Sequence, residues 1–194
     1  MAQPVQRDTR TAILDVAERL VQQRGFNGFS YADVAGELGV TKAGLHYHFA
    51  GKAELGEALM SRYAERFAEA LAEIDARETS APAKLHAYAE LYGSVLSAER
   101  MCLCGMLAAE YSTLPPGMQQ VVLRFFDDSE RWLVQVLESG RRDGSLTFEQ
   151  PAADAARLIV SALEGAMLVA RPFADATRFD TAADALLRSL ASAS

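Results

Sequence analysis

The chain carries almost no cysteine: Cys102 and Cys104 are the only two in 194 residues. A disulfide framework is excluded as the basis of the fold, and two thiols with His86 do not make a credible metal-ligand spacing, so no metal is expected. Long apolar runs are missing as well; nothing approaches the roughly 18 uninterrupted apolar residues that a membrane span needs. The first ten residues have no apolar stretch behind their charges, as a secretory signal would. A cytoplasmic protein with no membrane partner is the expectation. The chain also lacks a glycine-rich phosphate loop and a dinucleotide fingerprint, so neither an enzyme nor a cofactor is expected. Nor is there an excess of positive charge: 19 Lys+Arg against 26 Asp+Glu leave a net charge of −7. That balance opposes a nucleic-acid partner until its distribution is considered. Residues 1–55 hold six cations (Arg7, Arg10, Arg19, Arg24, Lys42 and Lys52) against six carboxylates, and the remainder holds the whole acidic excess.

What is present is a supply of apolar residues, 50% of the chain, recurring at helical spacing with no strand-like alternation. An all-α fold follows. Ile13, Leu14, Ala17, Leu20 and Val21 make one stripe on a first helix that Gly25 terminates. Ser30 and Asp33 have the form of a helix start, and that short helix ends at Gly39. Thr41 caps a third helix through Phe49, and a long amphipathic helix runs from about residue 52 to 76. Further helices are expected near 82–98, 103–112, 116–141, 151–171 and 179–192, separated by Pro82, Pro115-Pro116-Gly117, Asp143-Gly144, Pro151 and Pro172.

Residues 30–49, SYADVAGELGVTKAGLHYHF, place two short helices around Gly39-Val40-Thr41, with Val34, Ala35, Leu38, Val40, Leu45 and Phe49 spaced to pack inward. This is the pattern of a helix-turn-helix, in which the second helix presents its N-terminal residues to a major groove about 12 Å wide. Ala43 and Gly44 are small enough to let the helix approach base edges, while Lys42, His46, Tyr47 and Lys52 supply phosphate donors.

The stretch GFNGFSYADVAGELGVTKAGLHYHFAGKAEL, within Thr11 to Leu59, resembles the N-terminal domain of the TetR family of regulators. The resemblance implies an N-terminal three-helix helix-turn-helix domain over residues 1–51 and a C-terminal helical effector-binding and dimerisation domain over 52–194. It implies that Ser30 belongs to the DNA-binding set, that Thr41, Lys42, Ala43 and Gly44 lie at the groove, and that Lys52 anchors the backbone. His46, Tyr47 and His48 would contact phosphates or sugar edges, although His48, beside Phe49, reads equally as a structural histidine. His46 stands where the family often has Tyr, and its charge would make operator affinity weaken as pH rises through the ordinary imidazole range. The partners implied are double-stranded operator DNA, an unknown small-molecule effector and a second copy of the chain, with repression relieved by the effector.

For the sensor half, the residues read as effector-pocket candidates are Tyr63, Phe67, His86, Tyr92, Cys102, Met106, Glu110, Tyr111, Phe125, Trp132 and Met167, apolar and aromatic walls with a few polar groups. The same residue types fill any core, so that alternative stays open. Leu158, Ile159, Ala162, Leu163 and Ala166, with Leu186, Leu187 and Leu190, make two broad apolar stripes suited to a homodimer interface. Cys102 and Cys104 lie about 200° apart on a regular helix, so they diverge rather than pair. They read as small buried hydrophobes, with thiol modification at Cys102 or Cys104 as the alternative trigger of the sensor step. Two rival functions remain: an enzyme using one of these thiols as nucleophile, and a helical protein-binding module without DNA affinity.

Overall fold

A computed structural model describes residues 3–191, with side chains from Thr9 onward. The side chain of Arg7 and the expected helix end at residue 192 lie outside the described residues. Among the described residues there are nine α-helices: α1 (Gln3–Arg24), α2 (Tyr31–Leu38), α3 (Lys42–His48), α4 (Lys52–Arg77), α5 (Ala81–Ser97), α6 (Leu103–Ala109), α7 (Pro116–Asp143), α8 (Ala152–Ala170) and α9 (Thr177–Leu190). Extended pairing among them is limited to an isolated bridge between Leu146 and Ala191. The all-α expectation holds, and the helix bounds follow the breaks read from proline and glycine.

The described residues group into two compact units. The first comprises the chain up to Glu65 together with Leu103–Leu123; the second comprises Arg66–Cys102 and the chain from Arg124 onward. The head unit therefore runs past the boundary read at residues 51 and 52. The first turns of α4 bury Leu55, Leu59 and Met60, and the Leu103–Leu123 segment adds Leu107, Leu114 and Met118. Gly56 admits this packing: a Cβ there would meet Met118 Sδ at 2.5 Å and Phe26 Cε2 at 2.8 Å.

Within the head, the stripe of α1 is buried as its spacing requires, with Ile13, Ala17 and Val21 fully inaccessible. Ile13 and Val21 each contribute on the order of 1.5–3 kcal/mol, and the Ala17 methyl less. Gly25, at φ 83°, ends α1 in the left-handed conformation that glycine adopts without a Cβ clash. At α2 a capping box forms: the Ser30 N–H donates to Asp33 Oδ2 at 2.6 Å and the Asp33 N–H to Ser30 Oγ at 3.4 Å. Gly39, at φ 65°, closes α2, and the Gly44 N–H donates to the capping Thr41 hydroxyl at 3.1 Å. Val34, Ala35, Leu45 and Phe49 are buried as expected, but Val40 is 36% exposed. That residue follows the left-handed glycine and lies off both helices, so helical spacing does not govern where its side chain goes.

In the second unit α5, α8 and α9 pack on one another, burying Leu85, Tyr88, Ile159, Leu163, Met167, Phe179 and Leu187. Ser80 caps α5 by accepting from the Ala83 N–H at 3.3 Å, and Pro82 sits in the first turn, where its missing N–H costs nothing.

Candidate nucleic-acid interface and effector site

α3 is short, and its outer face is built almost wholly of exposed residues. Thr41, Lys42, Ala43, His46 and Tyr47 are exposed, Gly44 and His48 are half-buried, and Tyr47 projects furthest at 73% exposure. Leu45 and Phe49 anchor the helix from beneath at 0% and 1%. The Tyr31 hydroxyl donates to the Phe49 carbonyl at 3.1 Å, and Arg10 holds its guanidinium 4.8 Å from the Phe49 ring centroid. These contacts tie the end of α3 to α1 and α2, while its N-terminal end is exposed.

Several of the candidate DNA-binding side chains are already engaged. Ser30 Oγ donates to Asp33 Oδ2 at 2.6 Å, so its hydroxyl serves the cap. Thr41 Oγ1 accepts from the Gly44 N–H within its own cap, a bond that does not use its O–H. His46 Nδ1 lies 3.1 Å from the Ala50 carbonyl, which can only accept, so Nδ1 carries the proton and a neutral ring offers Nε2 as a lone pair. Donation from Nε2 to a phosphate then requires the imidazolium form. Lys52 reaches inward: Nζ donates to the Phe29 carbonyl at 2.5 Å and stands 4.6 and 4.4 Å from the Phe26 and Phe29 ring centroids. Burial holds its ammonium below the usual lysine range.

Two carboxylate contacts that sequence reasoning missed set the frame of this head. Glu110 accepts from the Phe26 N–H at 2.5 Å and from the Asn27 N–H at 3.2 Å, clamping the turn between α1 and α2 from a position 84 residues downstream of Phe26. Arg62 of α4 pairs with Asp15 and with buried Glu18 of α1, both at 2.7 Å. Neither pairing has a local signature, because the partners meet only in the folded chain.

The effector-pocket candidates divide between the units. Tyr63, Met106, Glu110 and Tyr111 belong to the head unit, and Phe67, His86, Tyr92, Cys102, Phe125, Trp132 and Met167 to the second. Of the latter, four rings assemble around Tyr88, a residue outside the candidate set. Trp132 stacks on Tyr88 at 5.5 Å and 19°, and Phe67 meets Tyr88, Tyr92 and Phe125 at 6.1, 6.4 and 4.8 Å. The Tyr88 and Tyr92 hydroxyls are 3.1 Å apart, and burial pushes both phenols above their usual range. Cys102 is buried beside them and hydrogen-bonds Glu164, whose carboxyl is raised by burial to about 6. Met167 is fully buried, whereas His86 is exposed.

Sequence reasoning also missed Glu164, and here a signal existed. Val160, Leu163 and Met167 are buried at 5%, 1% and 0%, so position 164 completes an i, i+3, i+4, i+7 inward face on α8. The interface candidates split by the same geometry. Ile159, Leu163, Leu187 and Leu190 are buried in the chain's own core, Ala162, Ala166 and Leu186 are half-buried, and Leu158 is 51% exposed. Leu168 and Val169, at 64% and 62%, extend the exposed apolar face of α8.

A capped helix-turn-helix whose second helix offers an exposed donor-bearing end, in a chain that continues as a helical unit with an aromatic interior, defines a DNA-binding transcriptional regulator. Comparison with known proteins narrows the class. Residues 13–59 match the family described as bacterial regulatory proteins, tetR family, and residues 81–186 match the tetracyclin repressor-like C-terminal domain. A TetR-family transcriptional regulator from Agrobacterium tumefaciens superposes with a TM-score of 0.93 at 29% identity, covering 96% of this chain and all of that one. A TetR transcriptional regulator from Legionella pneumophila is 31% identical over 94% of this chain and 97% of its own, with a TM-score of 0.85. The HTH-type transcriptional repressor NemR of Escherichia coli strain K12 is 26% identical over 179 residues, 88% of each chain, and the structure of its reduced form gives a TM-score of 0.82. The chain belongs to the TetR family of transcriptional regulators and is not an enzyme.

Proposed function

We propose that the protein is a cytoplasmic repressor that binds a palindromic operator as a homodimer and leaves it when a small molecule enters the C-terminal domain. The observation that carries the DNA-binding part is the exposed N-terminal end of α3, with Thr41, Lys42, Ala43 and Tyr47 outward on a scaffold fixed by Leu45 and Phe49. Repression is taken from the E. coli relative named as a repressor. In this reading residues 1–51 supply the groove and phosphate contacts, Thr41, Lys42 and Tyr47 make them directly, and Lys52 and Ser30 hold the frame. Residues 52–194 sense and dimerise. Dimerisation uses the outer stripe of α8, Leu158, Ala162, Ala166 and Val169, with Leu186 of α9, while Ile159, Leu163, Leu187 and Leu190 support it from below.

A thiol trigger at Cys102 is disfavoured by its surroundings, because a half-buried carboxylate beside a thiol opposes formation of the reactive thiolate. The test of the main reading is fluorescence anisotropy with DNA from upstream of the protein's own gene, over a salt series, beside the Lys42→Ala/Tyr47→Ala variant. Affinity at least about 10³ above random DNA, falling steeply with salt and lost in the variant, supports operator binding. Binding to every tested promoter no tighter than to random DNA refutes it.

A further inference from the structure

A carboxylate oxygen withdrawn from solvent without a countercharge is expensive, and half-buried Glu164 holds one. Its Oε1 is inaccessible to solvent and has no hydrogen-bond partner. Its remaining side-chain hydrogen bond is to the Cys102 thiol, a neutral donor. Among the described residues, burial and that thiol are the influences on its ionisation, and no lysine, arginine or histidine is among them. A charged group kept in such a place costs stability unless something else uses the charge.

The walls suggest what uses it. The Tyr88 and Tyr92 phenols lie close enough to feel the charge of Glu164, which adds to burial in raising both. Their rings lie 5.4 Å apart, inclined at 54°, and Phe67 and Trp132 flank them. Aromatic faces attract cations and reject anions, and they accept apolar bodies without requiring further hydrogen bonds. An acceptor oxygen without a donor, a negative charge without a partner and a set of ring faces are complementary to one ligand chemistry. We propose that the effector is a protonated amine with an apolar body, whose ammonium group donates to Oε1 of Glu164 beside Tyr88 and Tyr92. This proposal rests on the effector-sensing reading above and gives that site its charge preference. An uncharged donor such as an alcohol satisfies Oε1 but leaves the charge uncompensated, and a carboxylate ligand is repelled.

Trp132 is the only tryptophan in the chain and stacks on Tyr88, so its fluorescence reports occupancy directly. Three probes of nearly equal size share a phenyl body and differ in the charge of the head group: phenethylammonium, phenethyl alcohol and phenylacetate. Titrations run well above pH 6, where Glu164 is ionised. The expected result is saturable binding of phenethylammonium at least about tenfold tighter than the alcohol, with phenylacetate weaker still. In Glu164→Gln, checked for an intact melting transition, the preference for the amine over the alcohol disappears while alcohol binding changes little. Equal binding of amine and alcohol by the unmodified protein overturns the proposal, as does a preference that survives Glu164→Gln or the absence of saturable binding by all three. The unmodified comparison needs no variant, so a misfolded Glu164→Gln protein does not remove the test. Operator anisotropy on the same preparation separates the two readings. DNA binding released by the alcohol or by phenylacetate keeps the sensing repressor and ends the amine proposal, whereas amine selectivity without operator binding does the reverse.

Discussion

Removing the Glu110 carboxylate tests whether a side chain 84 residues away in sequence holds the turn that leads into the helix-turn-helix. Its bond to the part-buried Phe26 N–H at 2.5 Å is charge-assisted, a class that contributes about 1.5–3 kcal/mol, while the exposed Asn27 bond at 3.2 Å adds less. Glu110→Ala should therefore cost about 2–3 kcal/mol of unfolding free energy in urea, with an unchanged m-value. Glu110→Gln, which keeps one acceptor oxygen and loses the charge, should cost about half as much. The geometry supplies a sharper test. A Cβ at Gly25 would stand 2.7 Å from Glu110 Oε1 at a backbone φ of 83°. Gly25→Ala alone should then pay both the left-handed penalty, about 1–2 kcal/mol, and the clash. In the Glu110→Ala background only the backbone part remains, so the double variant should be more stable than the sum of the two single losses predicts. Strict additivity, or a Glu110→Ala cost below about 0.5 kcal/mol, would refute the idea that this carboxylate clamps the turn.

Three further outcomes are expected. The folded Glu164 carboxyl, at about 6, holds its proton more tightly than the usual 4.5 of the unfolded chain, so stability should fall as pH rises through that interval and level off above it. The loss should be about 2 kcal/mol, read as a melting-temperature difference between the acid and neutral ends that Glu164→Gln abolishes. Lys52→Met keeps the aliphatic stem but loses the bond to the Phe29 carbonyl and both ring contacts, and it should destabilise the protein by about 1–2 kcal/mol in denaturant titration; an unchanged midpoint would mean that the ammonium does not hold the frame. Leu158→Glu and Val169→Glu place charge on the exposed face of α8 and should shift sedimentation toward the monomer without unfolding the chain, whereas retention of a dimer would move the interface elsewhere.

The head was legible because its instructions are local. Ser30 with Asp33, Thr41 with Gly44, and the left-handed glycines at 25 and 39 each act within four residues, and each forms the cap that its residue type implies. Lys52 was legible as important but not in direction: its long stem could carry the charge outward to phosphate or inward over Phe26 and Phe29, and only the packed rings decide. Glu110 offered no signal at all, since a carboxylate near a helix end looks the same whether its donors are water or a distant turn.

α8 shows why periodicity stops short at the interface and at the sensor. A helix with one apolar stripe declares its inner face, but Leu158 through Ala170 is apolar nearly all round, so spacing cannot say which residues meet the chain's own core. The fold separates them: Ile159, Leu163 and Met167 turn inward, while Leu158, Leu168 and Val169 are left at the surface. The proposed homodimer would cover this exposed apolar face, because a second copy of the same helix offers it a self-complementary surface. The single acid among these residues then acquires a meaning that composition cannot give it. On the outer face Glu164 would be one more solvated carboxylate; on the inner face, between Leu163 and Met167, its charge is retained against a desolvation cost. A sensor that uses that cost for recognition should lose its ligand preference, and gain stability at neutral pH, through the same Glu164→Gln substitution.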